Sequence, residues 1–164
     1  MTQLTTIELF KEEMKFSAGH FTIFDATNRE NLHGHNFTVN VALTGRVNFN
    51  GLLGDYGIFK RKIREMCDVW NETFMLPLES PFLRIDTSDS SEVKAYYADE
   101  ILRFLPRDVT LLPVKNVTIE ELSRLFGERL IEDRALLEEQ GIDDVRVKCA
   151  SGPGQWSSWN WEGA

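Results

Sequence analysis

The tightest restriction on the fold comes from an alternating run, Phe37-Thr-Val-Asn-Val-Ala-Leu43, led in by His33-Gly-His35. Side chains along a strand alternate between its faces, so Phe37, Val39, Val41 and Leu43 share one face and need a core beneath it. His33 and His35 keep the same parity, which sets two imidazoles side by side at the lip of that apolar face. An earlier strand-like run, about residues 6 to 18, ends in the same way, because His20 shares parity with Phe10, Met14 and Phe16. If the two strands pair, all three histidines of the chain converge, a three-imidazole set with a fourth position left open. Neighbouring histidines are also common as plain surface residues. The matching parity of the third is what favours a metal site.

The rest of the chain reads as support for that corner. The second strand runs from about His35 to Val47, and Asn48-Phe-Asn-Gly51 supplies turn chemistry after it. Asp55 is suited to cap a helix from Tyr56 to about Trp70, whose Phe59, Ile63, Cys67 and Trp70 fall on one face with Met66 beside them. Cys67 therefore reads as a small buried hydrophobe rather than a nucleophile. Residues 77–113 form an inserted, hairpin-like excursion with short candidate strands at residues 82–85, 93–97 and 109–112. Thr118-x-x-Glu121 is a capping box opening a second helix with a stripe of Leu122, Leu125, Phe126 and Leu130, and Gly141 is a natural stop. Residues 144–150 and 155–161 alternate as a third and fourth strand, joined through Gly152-Pro-Gly154. This order predicts one α+β domain over residues 1–164: a four-stranded antiparallel sheet with two helices on one face. Trp156, Trp159 and Trp161 on the last strand either belong to an ordinary core or cover a surface closed by another subunit.

Composition narrows the setting. At 164 residues and 42% hydrophobic content the chain is sized for one core. Met1-Thr-Gln-Leu-Thr-Thr lacks the basic region and apolar run of a secretory signal, and no apolar stretch reaches membrane-spanning length. Cys67 and Cys149 form no CxxC, which fits a cytoplasmic protein with reduced thiols. A formal net charge of −8 argues against nucleic acid as a partner but leaves room for a small phosphorylated substrate.

Several of these stretches together resemble one family. Phe16-Ser-Ala-Gly-His20 followed by Leu32-His33-Gly-His35-Asn-Phe37 is similar to the zinc signature of the 6-pyruvoyl-tetrahydropterin synthase and 6-carboxytetrahydropterin synthase family. Gly51-Leu-Leu-Gly-Asp55-Tyr56 resembles that family's Gly-x-x-x-Asp-Phe step, and Thr118-Ile-Glu120 its Thr-x-Glu helix start. The resemblance implies a T-fold, in which sheets of several subunits close into a barrel, here a homo-oligomer and by expectation a hexamer. It also implies Zn2+ on His20, His33 and His35, and chemistry on the side chain of 7,8-dihydroneopterin triphosphate. Three imidazoles with an open position are what a catalytic zinc requires, and zinc needs no redox partner.

The departures from the family pattern bear on the reaction. The loop before the His-x-His, residues 21–32, contains no cysteine where the family's catalytic thiol usually lies. Glu30 resembles the branch in which a glutamate stands there instead, a branch that cleaves the side chain to 6-hydroxymethyl-dihydropterin for folate synthesis. A carboxylate beside the metal can act as general base; the alternative is a surface glutamate. The family's Asp-His pair corresponds to Asn71 and Glu72, so Glu72 is either its substitute or a polar loop residue. The pterin-anchoring glutamate is replaced by Ser151 in Cys149-Ala-Ser151-Gly. Glu120 either supplies that carboxylate or favours the helix dipole. A second reading, from a different class, is a T-fold protein that binds metal and pterin without turnover.

Overall fold

A computed structural model of the chain describes residues 3–163. The reading of the first residues for a leader falls partly on Met1 and Thr2, which lie outside that range. The core of the molecule is one long strand with shorter ones on both flanks. Strands β1 (Leu4–Leu9) and β2 (Lys15–His20) both lie antiparallel along one side of β3 (His33–Arg46), β2 on its first half and β1 on its second. On the other side of β3 lie β9 (Ile142–Ala150) and then β10 (Ser157–Glu162), again antiparallel. These are the four antiparallel runs expected, with the first one divided. The division falls at Phe10–Met14, where Met14 N–H donates to the Lys11 carbonyl in a tight turn. Phe10 is consequently exposed, while Leu9, Met14, Phe16 and Ala18 of that run enter the core.

The sheet is larger than expected. Beyond β2 it continues through β4 (Thr73–Pro77) and β8 (Val109–Leu112), both joined in parallel, to make seven strands. Parallel neighbours need crossovers, and the 77–113 excursion is the crossover from β4 to β8. It builds a second antiparallel sheet from β5 (Arg84–Asp86), β6 (Val93–Tyr97) and β7 (Glu100–Phe104). Strand β7 has no clean alternation in burial, and only the register with β6 reveals it.

Helix α1 (Gly57–Trp70) buries Phe59, Ile63, Cys67 and Trp70, the face expected from periodicity. It starts one residue later than expected, with Tyr56 at the N-cap; Asp55 still accepts the Gly57 N–H at 2.9 Å. The second helix is shorter than the pattern suggested: α2 (Ile119–Leu130) is followed by a separate α3 (Arg134–Glu139), which ends at Gly141 with φ +69. The capping box is half made. Thr118 Oγ1 accepts from Glu121 N at 3.3 Å, while the Glu121 carboxylate turns to Lys115 N and Arg124 rather than to Thr118.

Helices α1 and α2 cover the β3 face that carries Phe37, Val39, Val41 and Leu43, all fully buried. The opposite face is polar, with Thr44 hydrogen-bonded to Thr6 at 2.8 Å and Arg146 to Asn160 at 3.1 Å. A second, smaller core sits under the excursion, where Val93, Ala95 and Tyr97 pack on Phe21, Ile23 and Leu76. Among the described residues no helix is long and apolar enough to cross a membrane.

Strand β10 packs its inner side on the main core through Trp159 and Trp161, while Trp156, which the sequence placed on the same strand, precedes it and stays 44% exposed. Trp159 lies flat on α2 at Gly127, where a Cβ would stand 2.0 Å from its ring. Alanine in a helix interior normally stabilises by about 1 kcal/mol relative to glycine. Here the sign should reverse, since the ring would have to move: Gly127→Ala should lower stability by about 1–3 kcal/mol. An unchanged or higher denaturation midpoint in that variant would show that β10 does not pack as described.

Candidate metal and catalytic site

The site is assembled by the register of two strands. His20 pairs directly with His33 across β2 and β3, and His35 faces Ala18 two pairs deeper. Below them Phe16 and Phe37 stack at 5.0 Å, so the imidazoles form the polar end of an apolar column. Gly19 and Gly34 pair on the other face of the sheet. Gly19 has no freedom to change, as a Cβ there would fall 2.4 Å from the Phe74 ring.

Hydrogen bonds fix the imidazole tautomers. His20 Nδ1 lies 2.8 Å from the Val117 carbonyl and His33 Nδ1 2.7 Å from the Asn31 carbonyl. A carbonyl only accepts, so both Nδ1 atoms carry the proton and both Nε2 atoms present lone pairs. His20 Nε2 is buried and has no hydrogen-bond partner. His33 Nε2 and His35 Nε2 stand 3.1 Å apart, and one donor atom from each of the three rings lies within 4.8 Å of the others. Tetrahedral zinc with Zn–N near 2.0–2.1 Å requires neighbouring nitrogens about 3.3 Å apart. The donor set therefore fits a metal of that size. Burial holds His20 below the ordinary histidine range, and His33 and His35 add to this against the opposing Val117 bond. His35 is shifted the same way, first by burial and then by His33. Neutral rings are the ligand form.

The histidines open onto a cleft of about 680 Å³ that also takes in Glu30, Glu120 and Ser151. Three of the four non-histidine residues singled out from sequence thus meet the metal set. Thr22, Thr118, Ile119, Gln155 and Trp156 complete its lining. Thr22 was not singled out, although it continues the parity of His20; Gln155 and Trp156 arrive through the Gly152–Gly154 turn, whose course sequence does not specify.

Glu30 is held in place by its loop. Its N–H donates to the Thr22 carbonyl and its Oε2 accepts the Thr22 N–H, both at 2.9 Å, and Oε2 lies 3.8 Å from His33 Nε2. Burial raises the Glu30 pKa, but the Thr22 hydrogen bonds and the nearby His33 and His20 outweigh it, leaving the carboxyl below its usual range. The loop itself is tied to the start of α2 by Asn116, whose amide bonds both Ile23 N–H (3.1 Å) and Ile23 C=O (2.7 Å) as a strand would.

Glu72 is not brought into this cleft. It sits at φ +59 after α1, and its N–H donates to the Ser17 carbonyl at 2.7 Å, while Asn71 Oδ1 takes the Ser17 N–H at 2.8 Å. Both residues fasten α1 to the β2 edge. The Glu72 side chain borders a separate depression with Ser17, Asn36 and Thr73, which meets the cleft only at His35. Neither cysteine replaces the missing thiol: burial pushes Cys67 up to about 12 and raises Cys149 as well, and both are fully buried.

A family model described as 6-pyruvoyl tetrahydropterin synthase matches residues 9–161. A Methanocaldococcus jannaschii protein provisionally assigned as 6-carboxy-5,6,7,8-tetrahydropterin synthase is 26% identical over 143 residues, covering 87% of this chain and 86% of its own. The crystal structure of 6-pyruvoyl tetrahydropterin synthase from Plasmodium vivax superimposes with a TM-score of 0.90 at 28% identity, covering 98% of this chain and 99% of that one. The Plasmodium falciparum 6-pyruvoyl tetrahydropterin synthase gives 0.90 at 26% identity over 97% and 98%. Two further P. vivax structures carry alanine or cysteine in place of a catalytic glutamate of that protein.

If the three imidazoles are a metal site, added divalent metal should raise the melting temperature of metal-stripped protein. A His33→Ala, His35→Ala double variant should lose both that shift and the bound metal found by elemental analysis. Full metal occupancy in the double variant would refute the site.

Proposed function

The chain belongs to the 6-pyruvoyl tetrahydropterin synthase family and is a T-fold lyase of that kind; from that premise we propose that it cleaves the side chain of 7,8-dihydroneopterin triphosphate with zinc on His20, His33 and His35. The observation that carries this reading is the Glu30 carboxylate, 3.8 Å from a histidine nitrogen in the same cleft. Zinc bound there would act as a Lewis acid on the side-chain hydroxyls, making their protons easier to remove. Glu30 is the general base. It takes the proton from the hydroxyl on the second side-chain carbon, and the bond between the first and second carbons breaks. The electron pair passes into the pterin ring, and a proton returns to the first carbon. The products are 6-hydroxymethyl-dihydropterin and a triphosphorylated two-carbon aldehyde, so the step needs no oxidant. The 6-pyruvoyl and 6-carboxy products are the other outcomes of the same site.

The use of a catalytic glutamate by the P. vivax relative supports this assignment. Glu120 and Ser151 are assigned to the pterin, since both border the cleft. Glu72 serves the reaction only from a neighbouring subunit, because in its own chain it lies outside the cleft. That position also favours the second reading, a pterin- and metal-binding protein without turnover. Two unpaired, buried cysteines support a cytoplasmic setting.

Zinc-loaded protein incubated with dihydroneopterin triphosphate should release a side-chain cleavage product, identified by mass. Glu30→Gln should keep zinc and ligand binding while turnover falls roughly a hundredfold or more, the scale of a general base. Parental turnover in that variant would move the role away from Glu30, and no product from the parent chain would favour the binding protein.

A homo-hexamer of two stacked trimers is proposed from the outer edge of β10, which pairs only with β9 among the described residues, and from the polar sheet face opposite the helices, which none of the described helices covers. Sedimentation at micromolar concentration should find a species near six times 18.9 kDa. A monomer alone would remove the assembly.

A further inference from the structure

The β5–β7 sheet has no part in the chemistry described so far, yet it grips the loop that carries Glu30. Arg29, the residue before Glu30, is largely buried, with its guanidinium 5.3 Å from the Phe21 ring and 5.7 Å from the Tyr97 ring. Its Nε donates to Glu100 Oε2 at 2.8 Å, and Nη2 donates to the same oxygen. Its Nη1 donates to the Glu30 carbonyl at 2.8 Å. One planar cation thus joins the first residue of β7 to the backbone of Glu30. Nearby, the Tyr97 hydroxyl of β6 donates to the Asp25 carbonyl at 2.9 Å, a second hold on the same loop.

These contacts fix what the rest of the loop leaves free. Thr22 constrains the Glu30 N–H and one carboxylate oxygen, and Arg29 supplies the partner of the Glu30 carbonyl. The next carbonyl, that of Asn31, is the one that orients His33 through Nδ1. Turning the peptide between Glu30 and Asn31 would therefore disturb the carboxylate and the ligand ring together. A base has to sit within a fraction of an ångström of its working position, and a rigid support outside the site is how such precision is kept. Arginine suits the task because its fixed fork meets two acceptors at once, which a single ammonium on a flexible stem does not do.

We propose that the β6–β7 hairpin is a splint for the base-bearing loop, and that Arg29 and Glu100 are positioning residues that act on catalysis through Glu30. The inference rests on the reading of Glu30 as the base. Glu100 is half exposed, so Glu100→Gln leaves the fold intact and removes only the charge that anchors Arg29. With zinc-loaded full-length protein and dihydroneopterin triphosphate, Glu100→Gln should lower kcat roughly tenfold, the scale of a small misplacement of a catalytic group. KM and bound zinc should stay at parental values, and Arg29→Lys should behave alike. In a Glu30→Gln background Glu100→Gln should cost nothing more, because the group it positions is gone. A merely structural role would reduce turnover by the same factor in both backgrounds, and that outcome overturns the proposal. So does parental kcat in both Glu100→Gln and Arg29→Lys while Glu30→Gln is impaired. If Glu30→Gln itself works at the parental rate, the assignment of the base fails first and the splint with it.

Discussion

Everything at the site depends on the register between β2 and β3. Side chains repeat every second residue, so a slip of one position would turn His20 to the opposite face of the sheet from His33 and His35. What prevents the slip lies below the site. Phe16 is stacked on Phe37, Trp70 of α1 meets the Phe16 ring edge-on at 5.5 Å, and Phe126 of α2 closes at 6.1 Å. His20 and His35 in turn rest on the Phe37 ring at 5.5 and 5.7 Å. The imidazole set inherits its precision from the hydrophobic core, to which α1 contributes Trp70 and α2 contributes Phe126.

The same register creates an electrostatic difficulty that only a bound cation or proton resolves. With Nδ1 committed to the Val117 carbonyl, His20 Nε2 is a buried acceptor with no donor beside it. A buried acceptor without a donor costs free energy, on the order of 1–3 kcal/mol in proteins. Burial also disfavours the protonated ring at His20, which closes the easier way out. A buried acceptor whose protonated form is disfavoured is a position that a metal cation could satisfy.

Much of this was legible from the chain because the governing patterns are local. Parity along residues 33–43 fixed the buried face, and 3.6-residue periodicity fixed the inner faces of α1 and α2. Parity joined His20 to the other two rings across 12 intervening residues. What failed to show was tertiary. The turn at Phe10–Met14 contains no glycine or proline, so the first run looked continuous. Strand β4 follows α1 without a recognisable turn, because the reversal is made by Glu72 in a left-handed conformation that non-glycine residues seldom adopt. The placement of Glu72 away from its own cleft follows from that reversal, which no pattern in the sequence announces. The support of the loop by β6 and β7 was equally hidden, since Arg29 and Glu100 stand 71 residues apart.

The exchange of thiol for carboxylate sets its own physical demand. A cysteine used as a base brings a group whose pKa lies near 8.5 when unperturbed, close to neutral pH. A carboxylate is far less basic. Here burial raises the Glu30 pKa, but the Thr22 hydrogen bonds and the neighbouring rings more than reverse this. A weak base compensates only through the acidity of the proton it removes and the constancy of its distance to it. In the proposed reaction the first of these would come from a metal on the imidazole corner, which shares its cleft with Glu30. The second has to come from the loop, and residues 21–32 contain no regular element longer than the single bridge between Ile23 and Arg29. Order is imported from outside, through Asn116 on one side and the excursion sheet on the other. A carboxylate in the proposed role of base therefore gains from an insertion that contributes no residue to the cleft.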